Sequence, residues 1–207
     1  MKTHILSDWL NLILAIGAHI DSAFKEMARY PEFSGKCPTL FEKVSTGKRV
    51  DIRDYLDLAV EYKLPQKKVL FKCLPERVSV TPFQHYKKTG TRLTTPNWWR
   101  IYNGVKHKFK KNFHKANLQN TRNALAGAFL LNVIHKPAIL RFNDYGILKW
   151  PPQPLEGVDA EIYEHSLIRM PREALEDMLK RNQSLWCFVE TPLFVYDYDQ
   201  DEEDNSD

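Results

Sequence analysis

The sequence has no aspartate or glutamate between Arg77 and Asn143, a stretch of 67 residues that contains 13 lysine and arginine residues. Positive charge without interspersed carboxylates produces a field that attracts polyanions. Acids are concentrated instead at the C-terminus, where residues 197–207 hold seven acidic residues and no basic one. Without that tail the chain has 30 basic and 19 acidic residues, a net charge of +11. A basic body favours nucleic acid or an anionic membrane as partner. The tail is expected to be disordered and solvated, or to mimic a polyanion.

Cysteine is scarce, because Cys37, Cys73 and Cys187 are widely spaced and form no Cys-x-x-Cys pair. Such a set is typical of reduced thiols in a cytoplasmic protein. Long hydrophobic runs are also missing: residues 9–20 are apolar, but they are interrupted by polar residues and are too short to cross a bilayer. No secretion signal precedes them. We therefore expect a soluble cytoplasmic protein without a membrane partner.

Several motifs of known catalytic chemistry are missing as well. The sequence has no glycine-rich phosphate loop and no Gly-x-Ser-x-Gly nucleophile elbow. His85, His107 and His114 have no carboxylate close to them in sequence and form no His-x-x-x-His pair. The sequence therefore predicts neither a cofactor nor a metal site.

Apolar periodicity predicts two helices in the first third of the chain. The C-terminal one of the two begins after Asp51, its expected N-cap residue, and runs to about Lys63. The first covers residues 5–29 and ends at Tyr30-Pro31, and its apolar stripe consists of Leu6, Leu10, Ile13, Leu14, Gly17, Ile20, Phe24 and Met27.

Two further helices are predicted after residue 94. Thr95 and Pro96 indicate the start of a helix that runs to about Lys110, with Thr95 as the capping residue and Pro96 at the first helical position. A second helix is expected over residues 115–134, with an apolar stripe of Leu118, Leu125, Phe129 and Val133. We expect these two helices to lie antiparallel and to pack with the N-terminal helix.

Short β elements are predicted between and after these helices, where turn residues bound apolar runs. The expected elements are strands at Val69–Cys73 and Val78–Thr81, a polar linker at Lys87–Thr94, a hairpin of Ile139–Phe142 with Ile147–Trp150, a helix at Pro171–Arg181 and a strand at Leu185–Val195 broken at Pro192. The predicted fold class is mainly α, a helical bundle with β-hairpin elaborations of α+β type. Its expected domains are a bundle over 1–136 with a β insertion near 66–86, a mixed region over 137–196, and a disordered tail over 197–207.

The chemistry is expected in the segment Asn97–His107. On a helix with about 100° per residue, Arg100, Asn103 and His107 fall within about 60° of one another, on one stripe. A cation, an amide and an imidazole on one stripe can act on a single phosphate, as metal-free RNA cleavage requires. The alternative is that Asn103 and His107 are ordinary polar surface residues beside a lysine cluster, without a catalytic role. The candidate phosphate-contacting residues are Lys106, Lys108, Lys110, Lys111 and Lys115.

The adjacent Trp98 and Trp99 are candidates for stacking on nucleic-acid bases. Neighbouring residues on a helix point about 100° apart, so at least one of the two rings is expected in the core. Trp98 or Tyr102 is the preferred core residue, and the place of Trp99 is left open. Gly104 and Gly127 are expected to permit close helix packing.

The pattern from Asn103 to His107, followed by a basic turn and a long apolar helix, resembles the HEPN superfamily of small α-helical bundles. The resemblance covers roughly residues 95–135. Nuclease members carry an Arg-x(4–6)-His motif, and Arg100 with His107 fits its six-residue spacing. The resemblance implies a homodimer whose two motif helices form a metal-independent ribonuclease site. It also implies a toxin or defence role, with a cognate antitoxin or regulatory protein as a further partner.

The resemblance also contains an alternative to catalysis. The commonest HEPN pattern, Arg-Asn-x-x-x-His, would place arginine at position 102, where this chain has Tyr102. The superfamily includes inactive members that only bind. Three hypotheses follow: an endoribonuclease in which His107 transfers a proton, Arg100 stabilises the phosphate and Asn103 orients it; a non-catalytic module that binds RNA or a protein; and a basic adaptor with no nucleic-acid role.

Overall fold

In the computed structural model, helices dominate the described residues, which are 2–31, 33–71, 78–145, 172, 173, 176 and 194–196. The helices are α1 (Lys2–Ala28), α2 (Phe33–Lys36), α3 (Pro38–Ser45), α4 (Leu56–Glu61), α5 (Asn97–His107), α6 (Phe109–Asn112), α7 (Leu118–Ile134) and α8 (Lys136–Asp144). Short 3-10 turns cover Leu64–Gln66 and Phe113–Lys115. The strands are β1 (Val69–Phe71), β2 (Val78–Val80), β3 (Lys87–Thr89), β4 (Arg92–Thr94) and β5 (Phe194–Tyr196). The predicted mainly α fold with small β elements is confirmed.

The chain divides into two compact units. The first contains residues 1–67 and 80–131, and the second contains residues 68–79 and 132–207. A three-stranded sheet has the order β2-β1-β5, and in it Val69 of β1 pairs antiparallel with Tyr196 of β5. The residues discussed as a functional site below all belong to the first unit.

Helix α1 confirms the long amphipathic helix predicted at the N-terminus. Of its predicted apolar stripe, Leu14 is half-buried, and the buried members are Leu10, Ile13, Gly17, Ile20, Phe24 and Met27. Helix α1 packs against α5. At the contact, a Cβ atom built on Gly17 would lie 2.3 Å from Cδ2 of Tyr102. The absence of a side chain at Gly17 therefore lets the Tyr102 ring lie directly against the α1 backbone.

An aromatic cluster forms the centre of the first unit. Phe24 stacks on Tyr55 with 4.6 Å between ring centroids, and Phe83 contacts Phe24 and Trp98 edge-to-face at 6.2 and 5.7 Å. The Trp98 indole N–H donates to the Pro82 carbonyl at 2.7 Å, so the buried donor is satisfied. Rings packed in this way add to the stabilisation that their buried area provides.

Two buried tyrosine hydroxyls bind the loop elements to this cluster. Tyr55 donates to Oδ1 of Asp21 at 2.8 Å, and Tyr86 donates to the Ile52 carbonyl. Burial raises the pKa of both phenols well above the usual range for tyrosine, and for Tyr55 the hydrogen bond to Asp21 raises it further. Both side chains therefore serve as neutral hydrogen-bond donors rather than as titrating groups near neutral pH.

Helix α7 is confirmed as a helix but differs from the prediction in its start and its apolar stripe. It begins at Leu118 because residues 113–115 form a 3-10 turn instead of a first helical turn. Leu118 is 56% exposed, whereas Phe129 and Val133 are buried as predicted. Most of the helix is buried on more than one side, and its buried small residues let it approach the aromatic cluster. A Cβ atom at Gly127 would lie 3.3 Å from the Trp98 ring.

The start and end of α5 are both displaced from the predicted positions. Pro96 has an extended backbone, with φ −52° and ψ 141°, and is itself the N-cap, so the helix begins at Asn97. No side chain caps this end, and Thr95 does not act as the predicted capping residue. The helix ends at His107 instead of Lys110.

The predicted linker at residues 87–94 is a β-hairpin. Strands β3 and β4 pair antiparallel, with Lys88 opposite Leu93. Gly90 supplies the turn with a φ of +58°, a conformation that residues with side chains rarely adopt. The Thr94 hydroxyl donates to the carbonyl of Lys87 at 3.0 Å. The hairpin was not predicted from the sequence because its residues are polar and largely exposed, so they show no alternation of apolar and polar side chains.

The predicted capping role of Asp51 is wrong. Its Oδ1 accepts the backbone N–H of Arg53 at 2.7 Å, and its own N–H donates to Oδ2 of Asp54 at 2.9 Å. These local bonds stabilise a turn, and helix α4 therefore begins at Leu56.

The first strand of the predicted hairpin at 139–150 is also wrong. Residues 139–142 belong to α8, which begins after His135 with Pro137 in its first turn. Ile139 and Asn143 are both buried, four residues apart, which is helical rather than alternating spacing. Residues 147–150 lie outside the described residues.

Predictions for the C-terminal region are tested at a few positions. Arg172, Glu173 and Glu176 are helical, in agreement with the helix expected at 171–181. Strand β5 overlaps the end of the strand expected at 185–195. The remaining residues of these segments, Cys73, Cys187 and the acidic tail lie outside the described residues.

The contact between Gly17 and Tyr102 predicts an unfavourable effect of added volume. Gly17→Ala should lower the free energy of unfolding by about 1–3 kcal/mol, because an added methyl group would overlap the buried Tyr102 ring. Gly35→Ala is the matched control, because a Cβ atom there meets nothing within 4 Å. Urea unfolding measures both. Equal stability of the two variants would contradict the close approach of α1 and α5.

Candidate nucleic-acid interface

The buried face of α5 determines which of its side chains reach solvent. Arg100, Lys106 and His107 are exposed, and Asn103 is half-buried. The buried residues are Trp98, Trp99, Ile101, Tyr102 and Val105. Because Arg100 and His107 lie seven residues apart on one continuous helix, they share its outer face, as the sequence predicts.

Both tryptophans are core residues, which confirms the core position expected for Trp98, and Trp99, whose place was left open, is buried as well. Trp98 and Trp99 are 1% and 4% exposed. Trp99 contacts Trp98 and Tyr102 with centroid distances of 5.6 and 5.2 Å. Both indoles are buried because one faces the central cluster and the other extends it along α5. Tyr102 also belongs to the core, as expected.

The stripe of Arg100, Asn103 and His107 ends where α5 ends. Lys108 has φ −140° and ψ 57°, which is incompatible with a continuing helix. Lys110 and Lys111 therefore lie on the separate helix α6. The sequence predicted one helix to about Lys110, and the break at Lys108 changes the direction in which the following lysines are presented.

Asn112 stabilises this change of direction. Its side-chain amide donates to the carbonyls of Gly104 at 3.0 Å and Lys108 at 3.2 Å, and so satisfies acceptors at the end of α5. A Cβ atom at Gly104 would lie 3.2 Å from Cγ of Asn112, so glycine allows this close approach. We call residues 106–115 the basic corner. Its cations are Lys106, Lys108, Lys110, Lys111 and Lys115.

Two exposed phenylalanines lie among these lysines. Phe109 and Phe113 are 51% and 41% exposed, and their rings stack with 6.2 Å between centroids. Phe113 also contacts the His114 ring edge-to-face at 6.0 Å. Exposed rings between cations form the combination that binds single-stranded nucleic acid. The sequence analysis missed this pair, although the Phe-x-x-x-Phe spacing within a lysine-rich segment was a usable signal.

A cleft of 480 Å³ lies beside the basic corner, and we call it the Arg100–His114 cleft. Its lining contains two cationic side chains, one imidazole and several amides, and no carboxylate: Asn97, Arg100, Ile101, His114, Lys115, Asn117 and Asn120. Arg100 and Asn103 line a second cavity, described below. His107 lines neither of these two. The structure therefore brings Arg100 together with His114, which the sequence analysis did not assign to the site.

Asparagine side chains connect the walls of the cleft. Nδ2 of Asn97 donates to Oδ1 of Asn120 at 3.0 Å, and Oδ1 of Asn97 accepts from the Arg100 guanidinium at 2.8 Å. Nδ2 of Asn120 donates to the Lys115 carbonyl and to Oδ1 of Asn117, both at 3.0 Å. This network links the start of α5 to the turn before α7 and holds Arg100 and Lys115 at opposite ends of a chain of amides.

The cations in the first 61 residues and those around α5 and α6 differ in whether they form ion pairs with acidic side chains. Five cations in the first 61 residues form ion pairs with nearby acids: Lys25–Asp21, Arg29–Glu26, Lys36–Glu61, Lys43–Asp54 and Lys48–Glu42. Within the described part of the chain, Arg100 and the lysines of the basic corner form no such pair. Their positive charge is therefore available to an external anion.

The described residues offer little support for metal or thiol chemistry. No group of three His, Cys, Asp or Glu side chains among them is arranged to hold a metal ion. Cys37 is buried, and burial, followed by the nearby Asp57 and Glu61, raises the pKa of its thiol to about 11. Little of it is thiolate at neutral pH, so it is a weak nucleophile.

Comparison with known proteins does not assign a family. No protein-family model, no curated protein and no solved structure matches the chain. Within the described residues, no single helix is long and apolar enough to span a membrane. Helices α7 and α8 meet these two criteria only if they are counted as one bent pair.

The amide network predicts that Asn120 stabilises the cleft. Asn120→Ala should lower the free energy of unfolding by about 1–3 kcal/mol, because it removes three side-chain hydrogen bonds and leaves Asn97 without this acceptor. Gln119→Ala is the control, because Gln119 is the residue next to Asn120 and its side chain is exposed. Chemical unfolding monitored by circular dichroism measures the difference, and equal stability would show that the network contributes nothing.

Proposed function

We propose that the chain binds single-stranded RNA through the basic corner. The observation that carries this proposal is the exposed lysines of residues 106–115, unpaired with any described acid, in the same short segment as the stacked and exposed Phe109 and Phe113 rings. The segment between Arg77 and Asn143 contributes no acid of its own that could neutralise them.

The two residue types of the basic corner have separate roles in this proposal. Lysine ammonium groups contact phosphates and release counterions, which contributes affinity without sequence preference. The phenylalanine rings stack on unpaired bases, which a duplex does not expose. Together they favour a single strand over a double helix.

The first test of this function removes charge from the basic corner. Replacing Lys108, Lys110 and Lys111 with glutamine should weaken binding to a single-stranded RNA oligonucleotide. The slope of log K against log salt should become shallower by about 2, because each lost phosphate contact contributes about 0.7. Fluorescence anisotropy at several salt concentrations measures both quantities.

A charge-matched control uses the ion-paired lysines. Replacing Lys25, Lys36 and Lys48 with glutamine changes the net charge equally but removes cations that are already paired. It should leave the salt slope unchanged. Equal effects of the two lysine triples would contradict the assignment of the interface.

Phe109→Ala should cost about 1–3 kcal/mol of RNA affinity, because it removes a ring that stacks on a base. Tyr145→Ala, which removes an exposed ring in the other unit, should leave RNA affinity unchanged.

A second candidate function is metal-independent RNA cleavage by a HEPN-like homodimer. The observation that favours it is the exposure of Arg100 and His107 on one face of α5, with the resemblance over residues 95–135 in support. In this proposal Arg100 stabilises charge on the phosphate, His107 transfers a proton and Asn103 orients the group. A cognate antitoxin or regulatory protein would be a further partner, and the cytoplasm the expected compartment.

Cleavage has its own test. If the chain is a nuclease, it should cut single-stranded RNA in EDTA, and His107→Ala should lower the rate by about 10²- to 10⁴-fold while RNA affinity is retained. His114→Ala is the informative comparison, because His114 and not His107 shares a cleft with Arg100. An intact RNA substrate after incubation with the wild-type dimer would reject catalysis and leave the non-catalytic RNA-binding module.

A further inference from the structure

A second cavity lies on the other side of Arg100, and we call it the Trp99 cavity. Its volume is 780 Å³, within the range of about 300–1,000 Å³ that small-molecule sites occupy. Apolar side chains from three parts of the chain line it: Ile52 and Leu56 near α4, Leu93 of β4, and Trp99 of α5. The indole N–H of Trp99 is buried and has no hydrogen-bond partner among the described residues.

The same cavity carries a strongly cationic rim. Arg53, Lys88 and Arg100 line it, against the single carboxylate of Asp57 among its lining residues. Of these, Lys88 and Arg100 have no ion pair with any described acid. Arg100 binds Asn97 through one guanidinium nitrogen, which leaves its other N–H groups available. Three cations around one opening suit a doubly charged phosphate.

Uncharged polar groups complete the lining. Asn103 contributes an amide, and Thr91 and Thr95 contribute hydroxyls. An apolar wall with a few hydrogen-bonding groups suits the flat face and polar edge of a nucleobase. Asn103, which the sequence analysis placed beside a phosphate, therefore lies in a cavity of mixed character and not in the Arg100–His114 cleft.

From this arrangement we infer that the Trp99 cavity binds one nucleoside monophosphate unit. Its base lies against the apolar wall formed by Leu56 and Leu93, and its phosphate contacts Lys88 and Arg100. The chemistry is shared by a free nucleotide and by one unstacked nucleotide of an RNA strand. For the strand, the inference rests on the proposed RNA-binding function. Because Arg100 lines both cavities, a strand whose base occupies the Trp99 cavity can continue into the Arg100–His114 cleft.

The test uses the four ribonucleoside 5′-monophosphates, with the corresponding nucleosides and inorganic phosphate as comparison ligands, in titration calorimetry with the full chain. A monophosphate should bind more tightly than its nucleoside and than phosphate. Lys88→Gln should weaken its affinity by about tenfold through loss of one charged hydrogen bond. Lys87→Gln is the matched control, because Lys87 is the adjacent exposed lysine of β3 and does not line the cavity.

The outcomes separate this inference from the proposed function. Failure of every monophosphate to bind, binding of phosphate with equal affinity, or equal effects of Lys88→Gln and Lys87→Gln would overturn the inference even if RNA binds at the basic corner. Monophosphate binding that Lys88→Gln weakens supports it even if RNA does not bind, and then identifies a free nucleotide as the ligand. If Lys88→Gln also weakens RNA affinity, and the monophosphate competes with RNA, the ligand is a nucleotide of the strand.

Discussion

Burial of the aromatic face of α5 against α1 determines which side chains of α5 reach solvent. The Tyr102 ring lies where a side chain at Gly17 would otherwise be, which fixes the rotation of α5 about its own axis. With Tyr102, Trp98 and Val105 directed inward, the helical period places Arg100 and His107 outward. The functional surface is thus set by the least polar part of the molecule. An arginine at position 102 would place a guanidinium in this buried contact.

Charge is distributed by the same fold in two different ways. In the first 61 residues lysines lie next to acids, and each exposed pair contributes little to stability while cancelling its own field. In the basic corner the lysines repel one another, and no acid among the described residues forms an ion pair with them, which destabilises the folded state. Asn112 opposes this cost by binding the carbonyls at the end of α5. The break at Lys108 places Lys110 and Lys111 on a separate helix instead of continuing them along α5.

The sequence predicted the elements that depend on strong local signals. Helix α1 follows from apolar periodicity along its length, α7 from a long apolar segment, and strands β1 and β2 from apolar runs bounded by turn residues. Elements that depend on single residues were predicted less well. The break at Lys108 depends on the amide of Asn112, and the hairpin at Gly90 on one backbone conformation in a polar segment. The sequence could not predict that Arg100 and His114 line one cleft, because this depends on the fold of the turn between α6 and α7.

The position of Arg100 bears directly on the choice between binding and catalysis. A guanidinium that contacts a phosphate equally in the bound state and in the transition state increases affinity without accelerating a reaction. Acceleration requires a proton-transfer group within hydrogen-bond reach of the same phosphate. In the described residues, His114 lines the cleft that Arg100 also lines, whereas His107 lies at the end of α5 and does not line it. A catalytic role for His107 therefore needs a phosphate held by other groups, such as those of a second copy of the chain. RNA binding needs only the surface that one copy already presents.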